Sequence, residues 1–293
     1  MEEGKTQTQL HYWGNTPEED YYKQQNIEST QSYYTSPRGL TLFTRSWQPL
    51  QPTPPRGVIC MVHGYGNDIS WTFQATPTFL AQNGFACFAL DLEGHGRSQG
   101  LKAYVPSVND VVSDCISFFT SALAQHQNLQ NLPRFLFGES MGGAICLLIH
   151  FRNPNFFKGA VLIAPMCKVS EKLRPRWPIP QILIGIARFA PTLPIVPTAD
   201  LLDKSVKVPE KKVIAGLNPM RYQGKPRLGT VVELLRVTDY VSKVSRELYE
   251  KAESEDKSVK IYEGMMHSLL FGETDENVGI VRRDILEWLN ERS

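Results

Sequence analysis

A doubly wound, mostly parallel α/β sheet carrying an inserted helical cap is the fold this sequence predicts, and three observations support it. From residue 57 to residue 165, apolar runs suited to strands alternate with helix-patterned stretches. The runs GVICMVHG, GFACFALDLEG, RFLFGES and KGAVLIAP are continuously apolar instead of alternating. Both faces of such strands must be covered, which is the mark of parallel strands between helical layers. Between Cys167 and about Gly229 the rhythm breaks, and Pro175, Pro178, Pro180, Pro191, Pro194 and Pro197 punctuate the stretch.

In chain order, residues 1–30 are polar apart from the aromatic pairs Tyr12, Trp13 and Tyr21, Tyr22, and they predict a peripheral arm. SYYTSPRGLTLFTRSW holds two β-rich runs around Ser36-Pro37-Arg38-Gly39, a hairpin signal. A helix is expected over 71–82. In the helix after Pro106, Val108, Val111, Val112, Cys115, Phe118, Phe119, Ala122 and Leu123 recur at helical spacing, giving one buried face. QILIGIARFA, within the insertion, is apolar nearly all round, so it must pack under a lid, face a lipid-like substrate or touch a membrane surface. A cap with its own small core is the preferred reading over a membrane-contacting cap. Beyond Gly229 come a helix-rich stretch, a strand over SVKIYEG and a final amphipathic helix in NVGIVRRDILEWLNERS. The expected organisation is an arm (1–30), a first part of the core (31–168), the cap (169–228) and a second part of the core (229–293).

The 293 residues suffice for a full core, and 31 Lys+Arg against 30 Asp+Glu give a nucleic-acid partner no electrostatic support. A small amphipathic substrate fits better. Cys60, Cys87, Cys115, Cys146 and Cys167 form an odd set without C-x-x-C spacing, and the N-terminus has no apolar leader core. These features predict free thiols in a reducing compartment, the cytosol, with peripheral membrane association left open. No run of about 18 apolar residues predicts a membrane span.

The chemistry concentrates in RFLFGESMGGAICLLIHF. A strand, a turn holding Ser140 between Gly138 and Gly142, and an unbroken apolar helix make a nucleophile elbow, in which small residues two before and two after let the chains pass. G-x-S-x-G alone is weak, since Gly96-Arg97-Ser98-Gln99-Gly100 also matches. Ser98 leads into LKAYVP, however, where no helix can start, so it reads as a loop serine. Ser140 is the expected nucleophile. A serine needs a base, and of six histidines only His267 lies after Ser140, beyond a strand and ahead of the final helix. His11 is in the arm, His126 and His150 belong to helical patterns, and His63 and His95 precede the serine. For the oxyanion, the expected donors are the Met141 amide and the Tyr65 amide in the glycine-flanked loop HGYGND. No metal or organic cofactor is implied.

HGYGND, GHGRS, GESMGGA and IYEGMMHSL resemble the monoacylglycerol lipase branch of the α/β-hydrolases, especially its plant members, which include caffeoylshikimate esterase. The resemblance runs from about Tyr12 to the C-terminus. It implies an α/β-hydrolase fold and Ser-Asp-His hydrolysis of acylglycerol, lysophospholipid or hydroxycinnamoyl esters beneath a cap.

One part of the family pattern is missing. After the cap the family carries an apolar strand ending in the triad Asp, some thirty residues before the His, whereas here Tyr240-Val241-Ser242-Lys243 runs straight into Val244-Ser245-Arg246-Glu247. A block of twenty-odd residues is expected to be absent at 243–244, through alternative splicing or a gene-model error. Asp239 has suitable spacing but lies in a helical pattern, which argues against it as the acid. The expected function is a serine ester hydrolase. The alternatives are a catalytically impaired variant of that enzyme and a non-enzymatic small-molecule binding protein of the same fold.

Overall fold

The computed structural model describes residues 9–50, 54–167, 178–197, 200–251 and 256–293, without the side chains of 201 and 243–251. The first residues of the expected cap, 169–177, and Pro175 with them, lie outside this set. Strands β1 (Ile27–Thr35) and β2 (Thr41–Pro49) form the predicted hairpin, closed by Gly39 at φ +79° and a Gly39 N–H to Ser36 carbonyl bond of 2.8 Å. β3 (Gly57–Val62) and β4 (Phe85–Leu90) are buried at every position, as continuous apolar runs demand. β5 (Arg134–Glu139) and β6 (Gly159–Ile163) complete a six-stranded sheet of order β1-β2-β4-β3-β5-β6. β3, β4, β5 and β6 pair in parallel, while β1 with β2 and β2 with β4 are antiparallel.

Helices cover both faces. On one, α3 (Val108–Gln125) and α4 (Met141–Arg152) pack on Val58, Cys60 and Leu136, and Val237 and Val241 of α8 (Leu228–Lys251) join them. On the other, α1 (Glu18–Gln24), α2 (Ala75–Gln82) and α9 (Asp275–Asn290) pack on Ile59, Met61, Phe135 and Phe137. Ser107 caps α3 by accepting the Asp110 N–H, and Thr274 caps α9 by accepting the Asn277 N–H. The strand order reverses between β3 and β5, so the ends of these two strands open the crevice in which doubly wound sheets bind ligands.

Three expectations need correction. SVKIYEG forms no strand, and its Val259 and Ile261 are 73% and 83% exposed. A strand exists only with a ladder partner. Here α8 runs unbroken across 243–244, and among the described residues β6 ends the sheet with nothing paired on its outer edge. The arm is not wholly peripheral, since Tyr22 and Ile27 are buried and Trp13 stacks on Tyr21 at 3.9 Å. The apolar helix α5 (Ile179–Ala187) builds no core of its own: none of its residues is buried, and Ile182 is 54% exposed. The small buried set of the cap region comes instead from Val206, Ala215 and Leu228, near or within α6 (Leu201–Ser205), α7 (Pro209–Gly216) and α8. Cys60, Cys87, Cys115 and Cys146 are buried free thiols and Cys167 is half-buried. Among the described residues no helix is long and apolar enough to cross a membrane.

Ser98 is structural: its Oγ accepts the Phe43 N–H at 2.8 Å and donates to the Asp91 carbonyl at 2.5 Å, locking the loop after β4 to β2. Ser98→Ala leaves both groups unpaired, a loss of about 1–3 kcal/mol. The melting temperature is expected to fall by about 2–4 °C per kcal/mol, measured by thermal circular dichroism. A second expectation concerns 256–261, which is exposed and free of regular structure. Limited trypsinolysis should cut at Lys257 or Lys260 before any site within β5 or α4, as mass spectrometry of the first fragments will report.

Candidate active site

β5 ends at Glu139 and α4 begins at Met141, which leaves Ser140 alone at the turn with φ 52° and ψ −115°. A left-handed serine carries strain of about 1–3 kcal/mol and persists only where its surroundings over-determine it. They do so here. The Ser140 N–H donates to the Ile163 carbonyl at 3.0 Å, and its carbonyl accepts from Met166 at 2.9 Å and Gly143 at 3.0 Å. A Cβ on Gly142 would strike the Val62 carbonyl, and one on Gly138 would strike the Gly142 carbonyl, so both positions demand glycine.

The loop after β3 lies against this turn: a Cβ placed on Gly64 would come within 3.4 Å of the Ser140 Cβ. His63 is fully buried in it. Its Nδ1 donates to the Gly64 carbonyl at 2.8 Å and its Nε2 accepts the Leu92 N–H at 3.0 Å. Burial pushes its pKa down to about 4, so it is a neutral structural group. Burial likewise drives His95 to about 3. Behind the loop, buried Asp68 accepts Asn218 Nδ2 at 2.6 Å, which ties the cap region to the loop sequence HGYGND. Among the described residues neither the Tyr65 nor the Met141 amide has a hydrogen-bond acceptor, and Met141, as the first residue of α4, has none within the helix.

Ser140, Tyr65 and His267 line one cavity of about 480 Å³ over the C-terminal ends of β3 and β5. His267 is exposed on its wall, and partial desolvation lowers its pKa from the ordinary value. No hydrogen bond joins its ring to Ser140 Oγ, and among the described residues no carboxylate is bonded to its imidazole. Asp239 lies exposed on α8, outside the cavity lining. Two carboxylates do line the cavity, Glu139 and Asp200. Burial raises the Glu139 carboxyl to about 7. Sequence reasoning overlooked Glu139 although it sits inside the elbow motif, because only the register of β5 reveals that it faces the same side as Phe135 and Phe137, toward the C-terminal loop. Arg221, Tyr222 and Lys225 add polar lining opposite Phe73, Ile163 and Leu270. Among the described residues no group of three or more His, Cys, Asp or Glu side chains is placed to hold a metal ion.

Comparison with known proteins gives the family and the fold. The sequence matches the family described as serine aminopeptidase, S33, over residues 53–244. It is 40% identical to caffeoylshikimate esterase of Arabidopsis thaliana, covering 96% of this chain and 91% of that protein. That alignment runs over 308 positions against the 293 residues here, so the relative carries residues that face gaps in this chain. Human monoglyceride lipase is 29% identical over 87% of this chain and 88% of its own. The fold superposes on a soluble variant of monoglyceride lipase from Saccharomyces cerevisiae, solved with a substrate analog, with a TM-score of 0.75 at 20% identity, covering 91% of this chain and 95% of that one. The chain is therefore a member of the S33-type α/β-hydrolase family of serine hydrolases, to which caffeoylshikimate esterase and the monoglyceride lipases are its relatives.

Proposed function

We propose that this protein hydrolyses carboxylic esters of small amphipathic alcohols through an acyl-enzyme on Ser140. One observation carries the reading: a strained serine at a strand-to-helix turn shares a cavity with His267 and Tyr65, and among the described residues the amides of Tyr65 and of Met141, next to the serine, have no acceptor. Ser140 Oγ attacks the ester carbonyl carbon while His267 takes its proton, and the developing oxyanion accepts from the Tyr65 and Met141 amides. His267 then returns the proton to the departing alcohol, and an attacking water, deprotonated by the same imidazole, releases the acid and restores Ser140. Peptide and ester carbonyls undergo the same first step, and the relatives, an esterase at 40% identity and lipases, favour the ester. The mixed cavity lining suits acylglycerol, lysophospholipid or hydroxycinnamoyl esters. The exposed Ile182, Ile184, Ile186 and Phe189 support contact of the cap with a lipid surface, from which such substrates are drawn.

A second reading, an impaired variant of the same enzyme, is favoured by the unbroken α8 across 243–244 and by the absence, among the described residues, of a carboxylate on the His267 ring. Loss of the acid alone lowers turnover by about 10⁴ in well-studied serine proteases and leaves the other groups working. Insertion of the relative's strand and acid loop between Lys243 and Val244 is then expected to raise p-nitrophenyl butyrate turnover by about 10³ to 10⁴. Equal turnover with and without the inserted block refutes the impairment.

Turnover is expected to vanish in Ser140→Ala and to survive in Ser98→Ala, and a folded Ser140→Ala protein with undiminished fluorophosphonate labelling overturns the assignment. The pH profile tests His267. A base works unprotonated, and a lowered pKa keeps the imidazole neutral to lower pH, so the acid limb of kcat/KM should lie below the ordinary value of 6.5. A limb centred above 6.5, or one unchanged in His267→Gln, removes His267 from the role.

A further inference from the structure

The segment that carries His267 has no regular secondary structure, so its placement must come from side chains and from neighbouring segments. Both residues flanking His267 are clamped. Ser268 N–H donates to the Ser205 carbonyl at 2.9 Å, and the Gly272 carbonyl accepts from Lys207 and Val208 at 2.9 and 3.1 Å, which ties the far side of the loop to the chain following α6. On the near side the Met266 N–H donates to Glu273 Oε1 at 2.5 Å. The same carboxylate accepts Asn277 Nδ2 at 3.0 Å on Oε2 and stands 3.7 Å from Lys207 Nζ. Lys207 Nζ in turn donates to the Gly264 carbonyl at 2.8 Å, and Lys211 Nζ donates to the Glu273 carbonyl at 2.8 Å.

Glu273 is thus a completely buried carboxylate whose partners converge from the base loop, from α9 and from the cap region. Burial alone would raise its pKa, but the bonds from Met266 and Asn277 and the nearby Lys207 outweigh it and hold the carboxyl below its usual range. It is charged at neutral pH. A bland role as support for the start of α9 does not require it, because Thr274 already caps that helix. What no other described side chain supplies is a bond to the backbone immediately before His267.

We propose that Glu273 is the positioning residue of the base, holding the Met266–His267 backbone against α9 and, through Lys207, in register with the cap region. The inference rests on the reading of His267 as the base. With no carboxylate on the imidazole among the described residues, this backbone clamp is the device that aims the ring at Ser140.

The test uses the full chain in three forms: wild type, Glu273→Ala and the near-isosteric Glu273→Gln, which keeps an acceptor for Met266 without the charge. Glu273→Ala is expected to lower the fluorophosphonate labelling rate and kcat for p-nitrophenyl butyrate by about 10², the scale of a misplacement near 1 Å, with KM changed less than about twofold. The His267 imidazole, followed by NMR, should titrate closer to 6.5 as the loop loosens, and Glu273→Gln should recover most of the rate. A purely structural Glu273 would lower the melting temperature of both variants while leaving kcat of the folded fraction and the His267 titration where they were, and that result overturns the proposal. His267→Gln runs in parallel. If it labels like wild type, the reading of the base has failed; if it loses labelling while Glu273→Ala keeps it, the positioning role alone has failed.

Discussion

Everything at the site depends on how closely α4 passes beneath the end of β3. The Gly142 backbone lies against the Val62 carbonyl with no room for a Cβ, and the Gly138 backbone lies against Gly142 in turn. That approach is possible because β3 and β5 are neighbours in the ladder, with Val62 opposite Gly138. Close packing of two strand ends and one helix start therefore forces Ser140 into its left-handed turn and brings the loop after β3 beside it. The same constraint places the first amide of α4, that of Met141, next to the strained serine and brings the Tyr65 loop beside it.

At the other end of the sheet the governing constraint is the edge. A parallel sheet satisfies an interior strand on both sides, and β6 is satisfied on one. The exposed Val259 and Ile261 have the composition of a strand without a neighbour to receive it. α8 runs continuously across 243–244 and, among the described residues, adds no strand to that edge. The His267 loop is held there through its backbone, from Ser268 N–H to the Ser205 carbonyl and from Met266 N–H to Glu273.

How legible all this was in the sequence follows from the range of the forces involved. The four continuous apolar strands, the Ser107-capped α3 and the elbow were readable because period, caps and glycines act within a few residues, and the doubly wound sheet they imply is the fold of the family. The failed strand at SVKIYEG looked locally like any other; whether it forms is decided by a partner far along the chain. The isoleucines of α5 and the burial of Tyr22 and Ile27 likewise depend on what packs against them. Glu273 was hidden for a different reason: an acidic residue just ahead of DENVGIV reads as helix-start charge, and only its burial among Met266, Asn277 and Lys207 distinguishes it.

The proposed base and the cap region share backbone bonds between 205–208 and 268–272, so the loop bearing the base cannot shift without moving the chain that roofs the cavity. Asn218 makes a comparable tie from the cap region to Asp68 behind the oxyanion-loop sequence. The cap region is thus bonded to both loops, with a buried carboxylate, Asp68 or Glu273, on each side, while its own apolar helix is exposed. In this arrangement the exposed apolar helix belongs to the same region of chain that is bonded to the Ser268–Gly272 loop and, through Asn218, to Asp68. Any contact that reorients the cap region acts on both loops through polar contacts to the buried carboxylates Asp68 and Glu273, which are costly to leave unpaired.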